Sequence, residues 1–210
     1  HQAVSSLLSW YQDNHRLLPW RSNSPDPYAV WISEIMLQQT QVVTVISYYQ
    51  KFITKFKTIK ALAEASEDLV LSMWSGLGFY SRARNLHAAS IMIMKENSGH
   101  FPDNFQDMIR LPGIGRSTAG AILAFCFNKP YPILDGNVKR VLSRVYGITT
   151  PINNSSTEKK LWLISEKNLP KKNIDIYTQA IMDFGATLCI PKRPICNICP
   201  ITQSCVAYVN

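Results

Sequence analysis

Leu111-Pro112-Gly113-Ile114-Gly115-Arg116-Ser117-Thr118 reads LPGIGRST and decides the fold. Two glycines bracketing one apolar residue make a tight turn. Before it lies the Phe105–Arg110 segment, and after it an apolar run from Thr118 to Phe127 at helical spacing. The turn therefore joins two helices. Backbone N–H groups at the start of the second helix point outward and can hold a phosphate. This is a helix-hairpin-helix pattern, which grips nucleic-acid backbone without reading sequence. An ordinary helix–helix turn is the alternative.

Outward from the hairpin, apolar residues recur at helical spacing in Val4–Tyr11, Val42–Phe56, Leu69–Trp74, Ala83–Met94, Val138–Tyr146, Lys160–Glu166 and Tyr177–Leu188. Helix starts are expected at Ser66 and at Asp103 or Asn104. Tyr131–Leu134 contains a proline and reads as extended loop, and Thr149–Thr157 reads as a polar connection. Alternating strand patterns are scarce. The expected class is all-α, with about ten short helices. No composition shift marks a flexible linker, so one compact body is expected.

The 210 residues are 46% hydrophobic and 17% charged, enough to bury a core and unlike a disordered chain. Lys plus Arg is 22 against 14 Asp plus Glu, a net charge of +8. That balance favours a polyanionic partner, nucleic acid ahead of a membrane surface, over a basic protein with no such partner. No apolar run approaches bilayer length, so no membrane partner is expected. The N-terminus lacks both a signal-peptide pattern and an initiator Met, as a processed or trimmed chain would.

Four of the five cysteines fall in the last 22 residues. Cys189, Cys196, Cys199 and Cys205 form the pattern C-x6-C-x2-C-x5-C, which suits four thiolate ligands in a reducing compartment. Zinc and a [4Fe–4S] cluster both fit, and spacing does not separate them. Pro191, Pro194 and Pro200 stiffen the loops. Cys126, inside AILAFCF, reads as a buried small hydrophobe. Lys192 and Arg193 lie in the first loop, either to clamp a phosphate or to offset an anionic cluster. Gly76-Leu77-Gly78 does not complete a dinucleotide fingerprint.

Two carboxylates stand in apolar company. Glu34 lies alone in Val30–Leu37, where loss of hydration would raise its pKa and keep it protonated as a general acid. A solvent-facing Glu on an amphipathic helix is the alternative. Asp135, in Ile133–Arg140, could simply cap a helix. It could also stay ionised beside a cationic intermediate, completing the acid and carboxylate pair that glycosidic cleavage needs.

Several long stretches together resemble the endonuclease III superfamily of DNA glycosylases, and within it the branch removing adenine mispaired with 8-oxoguanine. They are LPW (Leu18–Trp20), VWISEIMLQQTQVV (Val30–Val43), GLGFYSRARNLH (Gly76–His87), LPGIGRSTAGAIL (Leu111–Leu123), ILDGNVKRVL (Ile133–Leu142), QAIMDFGA (Gln179–Ala186) and the cysteine spacing. The resemblance implies a two-lobed helical fold. Residues 22–129 would form a six-helix barrel with the hairpin, and residues 1–21 plus 130–210 an iron–sulfur lobe. It implies a [4Fe–4S] cluster on the four cysteines, and a monomer that binds duplex DNA carrying A·8-oxoG or A·G in the groove between the lobes. The compartment would be the cytoplasm in a bacterium and the nucleus or mitochondrion in a eukaryote.

The implied chemistry is residue by residue. Glu34 protonates the flipped adenine, Asp135 stabilises the oxocarbenium-like sugar, and Asn137 helps order the site. Arg16, Trp20, Leu37 and Gln179 match positions lining the adenine pocket. Gln38, Gln39, Phe79 and Tyr80 match stretches that approach the opposite base and wedge the duplex. Gly113, Gly115, Arg116, Lys192 and Arg193 would meet DNA backbone. Ser117 stands where strand-nicking relatives carry a lysine, so a glycosylase with little lyase activity is expected. Relatives acting on thymine in T·G mispairs or on oxidised pyrimidines share most of this scaffold. Phe79 departs from the usual tyrosine. The sequence ends five residues after Cys205, where the resemblance leads one to expect a Nudix-like domain, so either a catalytic-core fragment or a short member, with weaker discrimination of the lesion, is expected.

Overall fold

The computed structural model describes residues 2–210. Among those residues the chain forms twelve α-helices, two short 3-10 turns and no strand. The helices are α1 (Gln2–Asn14), α2 (Pro27–Leu37), α3 (Val42–Lys55), α4 (Ile59–Glu64), α5 (Glu67–Met73), α6 (Ser81–Glu96), α7 (Phe105–Ile109), α8 (Arg116–Phe127), α9 (Gly136–Val145), α10 (Ser155–Lys167), α11 (Ile174–Thr187) and α12 (Val206–Val209). No helix among the described residues is long and apolar enough to cross a membrane.

Short polar residues start these helices by accepting first-turn N–H groups. Thr58 accepts from Ala61, Ser66 from Leu69, Asn104 from Asp107 and Asp135 from Val138. Asn154 caps α10, so the polar connection expected to run to Thr157 ends earlier. The hydroxyl-rich SST that suggested loop is the first turn of a helix.

The chain divides into two units, each with its own core. One is Leu17–Ile122; the other joins the residues up to Arg16 with Leu123–Asn210. A single compact body was the expectation from composition; the division falls inside α8, where no linker composition could mark it.

In the Leu17–Ile122 unit, α2 packs on α3 and α6, and α6 packs on α4 and α5. α2 is buried nearly all round, through Tyr28, Val30, Trp31, Ile32, Ser33, Ile35 and Met36. Glu34 and Leu37, three residues apart on one flank, are among its partly exposed residues. In the other unit α11 packs on α1 and α9, and α9 also meets α10 and α12. Gly185 sets the approach of α9 to α11. A Cβ there would meet the Asn137 Cβ at 3.0 Å and Val141 Cγ2 at 3.2 Å.

Candidate active site

In the Leu17–Ile122 unit the site residues sit on α2, on the turns after it and before α6, and on the hairpin. Beyond Leu37 the chain leaves α2 in a tight turn, with Gln39 in left-handed backbone at φ 61°. Gln38 Nε2 donates to Thr118 Oγ1 at 3.3 Å, which ties this turn to the first turn of α8. Phe79 is also left-handed, at φ 48°, and the residue is 59% exposed. Tyr80 follows it, with its hydroxyl accepting from the Gly76 N–H at 3.5 Å. Trp20 is buried, edge-on to Tyr49 at 5.3 Å.

The hairpin runs from α7 to α8 as expected. Gly113 has φ 83°, and a Cβ on it would meet the Asn85 Cβ at 3.1 Å. Glycine is required there twice over, by backbone hand and by space. The Ala119 N–H bonds the Gly115 carbonyl at 3.0 Å, so Gly115 opens α8 with no side chain over its first turn. Gly115 and Arg116 are exposed, Ser117 half-buried.

In the other unit, Asp135 caps α9. Its Oδ1 accepts from the Val138 N–H at 2.8 Å. Burial pushes its carboxyl above the ordinary value of 3.8. The Val138 and Asn137 N–H groups and the positive charges of Arg140 and Arg16 pull the other way. The cap, one of the two readings the sequence left open, is present, while burial disfavours the ionised form on which the other depends.

Arg16 is gripped by Asp183, which is fully buried on α11. The Arg16 backbone N–H donates to Oδ2 at 2.9 Å and its Nε to Oδ1 at 2.7 Å. One turn earlier on α11, Gln179 Oε1 accepts from the Tyr11 hydroxyl at 2.7 Å. Gln179 and Asp183 are four apart, so they share a helix face and together fix α1 and the residues after it. Asp183 and Tyr11 were not among the expected site residues. Asp183 carried the signal used for Glu34, a lone carboxylate in an apolar run.

Arg140 and Arg144, on α9, brace the cysteine segment. Arg140 donates to the carbonyls of Cys189 at 3.0 Å and Gly185 at 2.5 Å. Arg144 donates to the carbonyls of Ile190 at 2.8 Å and Pro191 at 2.9 Å, and approaches Cys189 Sγ at 3.4 Å. Cys189, Cys196, Cys199 and Cys205 all line one cavity of about 270 Å³. Burial, then the other three thiols, push the Cys199 thiol up. Among the described residues no three His, Cys, Asp or Glu side chains are grouped so as to hold a metal ion. Lys192 and Arg193 are exposed at the loop tip, Arg193 with φ 54°. Cys126 is half-buried rather than buried, because it falls in the last turn of α8.

Residues 32–167 match the family described as HhH-GPD superfamily base excision DNA repair protein. The chain belongs to this superfamily. Among curated members, an adenine DNA glycosylase of Buchnera aphidicola is 50% identical over 97% of this chain and 58% of its own length. The adenine DNA glycosylase of Homo sapiens is 42% identical over 96% of this chain and 38% of its own length. The chain thus spans little more than half, or less, of these superfamily relatives. A thermostable thymine-DNA glycosylase structure superposes with a TM-score of 0.88 at 28% identity, covering 98% of this chain and 94% of that one. A trapped endonuclease III–DNA intermediate shares the fold, with a TM-score of 0.83 at 22% identity over 99% of this chain and 94% of that one.

Proposed function

We propose that this chain carries the base-excision chemistry of a monofunctional adenine DNA glycosylase, acting on adenine opposite 8-oxoguanine or guanine. The observation that carries the reading is Glu34, the one carboxylate of α2, partly exposed on a largely buried helix, in a chain whose curated relatives bear that activity's name. Adenine is flipped out of the stack, because its glycosidic bond is out of reach in the duplex. Glu34 protonates the base and makes it a leaving group. Asp135 faces the positive charge that grows on the sugar. Desolvation disfavours its anionic form in the resting protein. A cation arriving beside it therefore gains more than it would beside a hydrated carboxylate. Water attack leaves an abasic site.

Arg16, Trp20, Leu37 and Gln179 are proposed to line the adenine pocket, with Arg16 and Gln179 held by Asp183 and Tyr11. The Asn137 N–H bonds the Asp135 carboxylate, and its Cβ faces Gly185 at close range. Gln38, Gln39, Phe79 and Tyr80 meet the opposite strand, and Gly113, Gly115 and Arg116 a phosphate. Ser117 supplies no amine for a Schiff base, which supports a glycosylase without lyase activity.

The four cysteines are proposed to hold a [4Fe–4S] cluster. All four line one cavity, and four thiolates are the ligand set such a cluster takes. When bound, the cluster supplies four covalent ties that brace this segment, and Lys192 and Arg193 stand on its first loop. A second reading, thymine opposite guanine, draws support from the superposition on a thymine-DNA glycosylase.

The test is a single-turnover assay on duplexes with adenine opposite 8-oxoguanine, adenine opposite guanine, and thymine opposite guanine. The proposal expects adenine release, with strand breaks only after alkali. Breaks without alkali would remove the monofunctional assignment. Thymine release alone would favour the second reading.

A further inference from the structure

Two exposed residues, Gln39 and Phe79, carry left-handed backbone at φ 61° and 48° without being glycine. Such a conformation is strained for a residue with a Cβ, so surrounding contacts must hold it. One side chain reaches both turns. Arg82, on the first turn of α6, is only 8% exposed. Its Nη1 donates to the carbonyls of Ile35 and Met36 at 2.9 Å each and of Gln38 at 2.5 Å. Its Nη2 donates to Thr40 Oγ1 at 3.3 Å and the Gly78 carbonyl at 3.2 Å. The guanidinium lies 5.2 Å from the Trp74 ring centre and 5.6 Å from that of Phe79.

The arrangement is specific to this geometry. Gln39 is bracketed from both sides, through the Gln38 carbonyl and the Thr40 hydroxyl. Phe79 is bracketed through the Gly78 carbonyl and its own ring. The same fork closes the last turn of α2, the helix that carries Glu34. Nε is buried without a hydrogen-bond partner, so the contacts rest on the two terminal nitrogens.

We propose that Arg82 is a positioning residue that fixes the spacing of the Gln39 and Phe79 tips, so that one duplex meets both at once. It acts on opposite-base recognition without touching DNA itself. This rests on the reading above that both tips approach the duplex. Lysine keeps the charge and most of the stem but has one ammonium, which cannot bridge two turns. If Arg82 only stabilised the fold, its loss would be independent of Phe79.

The experiment is a double-mutant cycle of Arg82→Lys and Phe79→Ala. It is read in Kd for a duplex with a tetrahydrofuran abasic analogue opposite 8-oxoguanine, and in fluorescence of a 2-aminopurine stacked beside that position. Each single variant is expected to bind about tenfold more weakly and to lose most of the fluorescence rise; the double should match the worse single within about twofold. Additive losses, or wild-type binding and fluorescence in Arg82→Lys, would overturn the proposal. Should Arg82→Lys not fold, Thr40→Val removes one arm of the clamp, and its cycle with Phe79→Ala is read by the same criterion. Adenine release by the unmutated protein is measured separately. If it is absent while duplex binding persists, the excision reading fails and the cycle still decides the role of Arg82.

Discussion

Glu34 and Asp135 are both carboxylates in apolar company, yet they are held differently. Glu34 lies on the flank of a buried helix, whereas Asp135 is tied into the cap of α9. Replacing Glu34 with Gln keeps the shape and removes the acid. Single-turnover excision is expected to fall by about 10²–10⁴-fold, with duplex affinity kept. For Asp135 the consequence reaches stability. Its folded pKa is raised above 3.8, so the ionised carboxylate favours the unfolded chain. The group stabilises the fold fully only below its unfolded pKa, and that contribution is lost as pH rises through the folded pKa. Asn caps a helix about as well as Asp and carries no charge to desolvate. Asp135→Asn is therefore expected to melt higher than wild type at pH 7 and to lose excision. The gain in Tm should vanish as pH falls toward about 4. A lower Tm at pH 7 would show that the cap and the arginines outweigh burial.

At the scale of elements, backbone hand and close approach make further claims. Gln39→Gly removes the left-handed penalty at an exposed turn. It should stabilise the protein by about 1 kcal/mol, a rise of about 2–4 °C in Tm for a chain of this size. Duplex affinity should fall because the side chain is gone. Gly185→Ala should act in the opposite sense on stability. Its methyl would press on the Cβ of Asn137, which cannot swing away as a side-chain tip could. A loss of about 1–3 kcal/mol is expected, together with slower excision, measured by denaturant melts and single-turnover rates. Most helices were legible from spacing and caps. Ser66 and Asn104 start helices where expected, and the 3.6-residue pattern of α3, α6 and α11 is plain. α4 and α12 carry too few turns for periodicity to register. The clamp at Arg82 was not legible. A buried arginine reads like any helical surface cation until its carbonyl partners, forty-odd residues away in the chain, are known.

For the whole molecule, the charge balance of +8 pointed to a polyanion but could not say which cations meet it. The structure sorts them by attachment. Arg82, Arg140 and Arg144 are committed to backbone carbonyls, and Arg16 to Asp183. Lys192 and Arg193 stand exposed beyond the brace that Arg144 provides at Pro191. That division makes the two readings of this pair separable. If they clamp phosphates, Lys192→Ala/Arg193→Ala should flatten the slope of log K against log salt by about 0.9 per lost contact, roughly 1.8 in all. Every duplex should be affected alike, matched or mispaired, because phosphate contacts carry no sequence information. Tm should hardly move, since surface substitutions clear of the core cost little. If instead the pair offsets negative charge on the cysteine segment, the slope should stay as it is and Tm should fall. Fluorescence anisotropy titrations at four or five salt concentrations, with melts of the same samples, decide between them. An unchanged slope removes Lys192 and Arg193 from the DNA-binding surface.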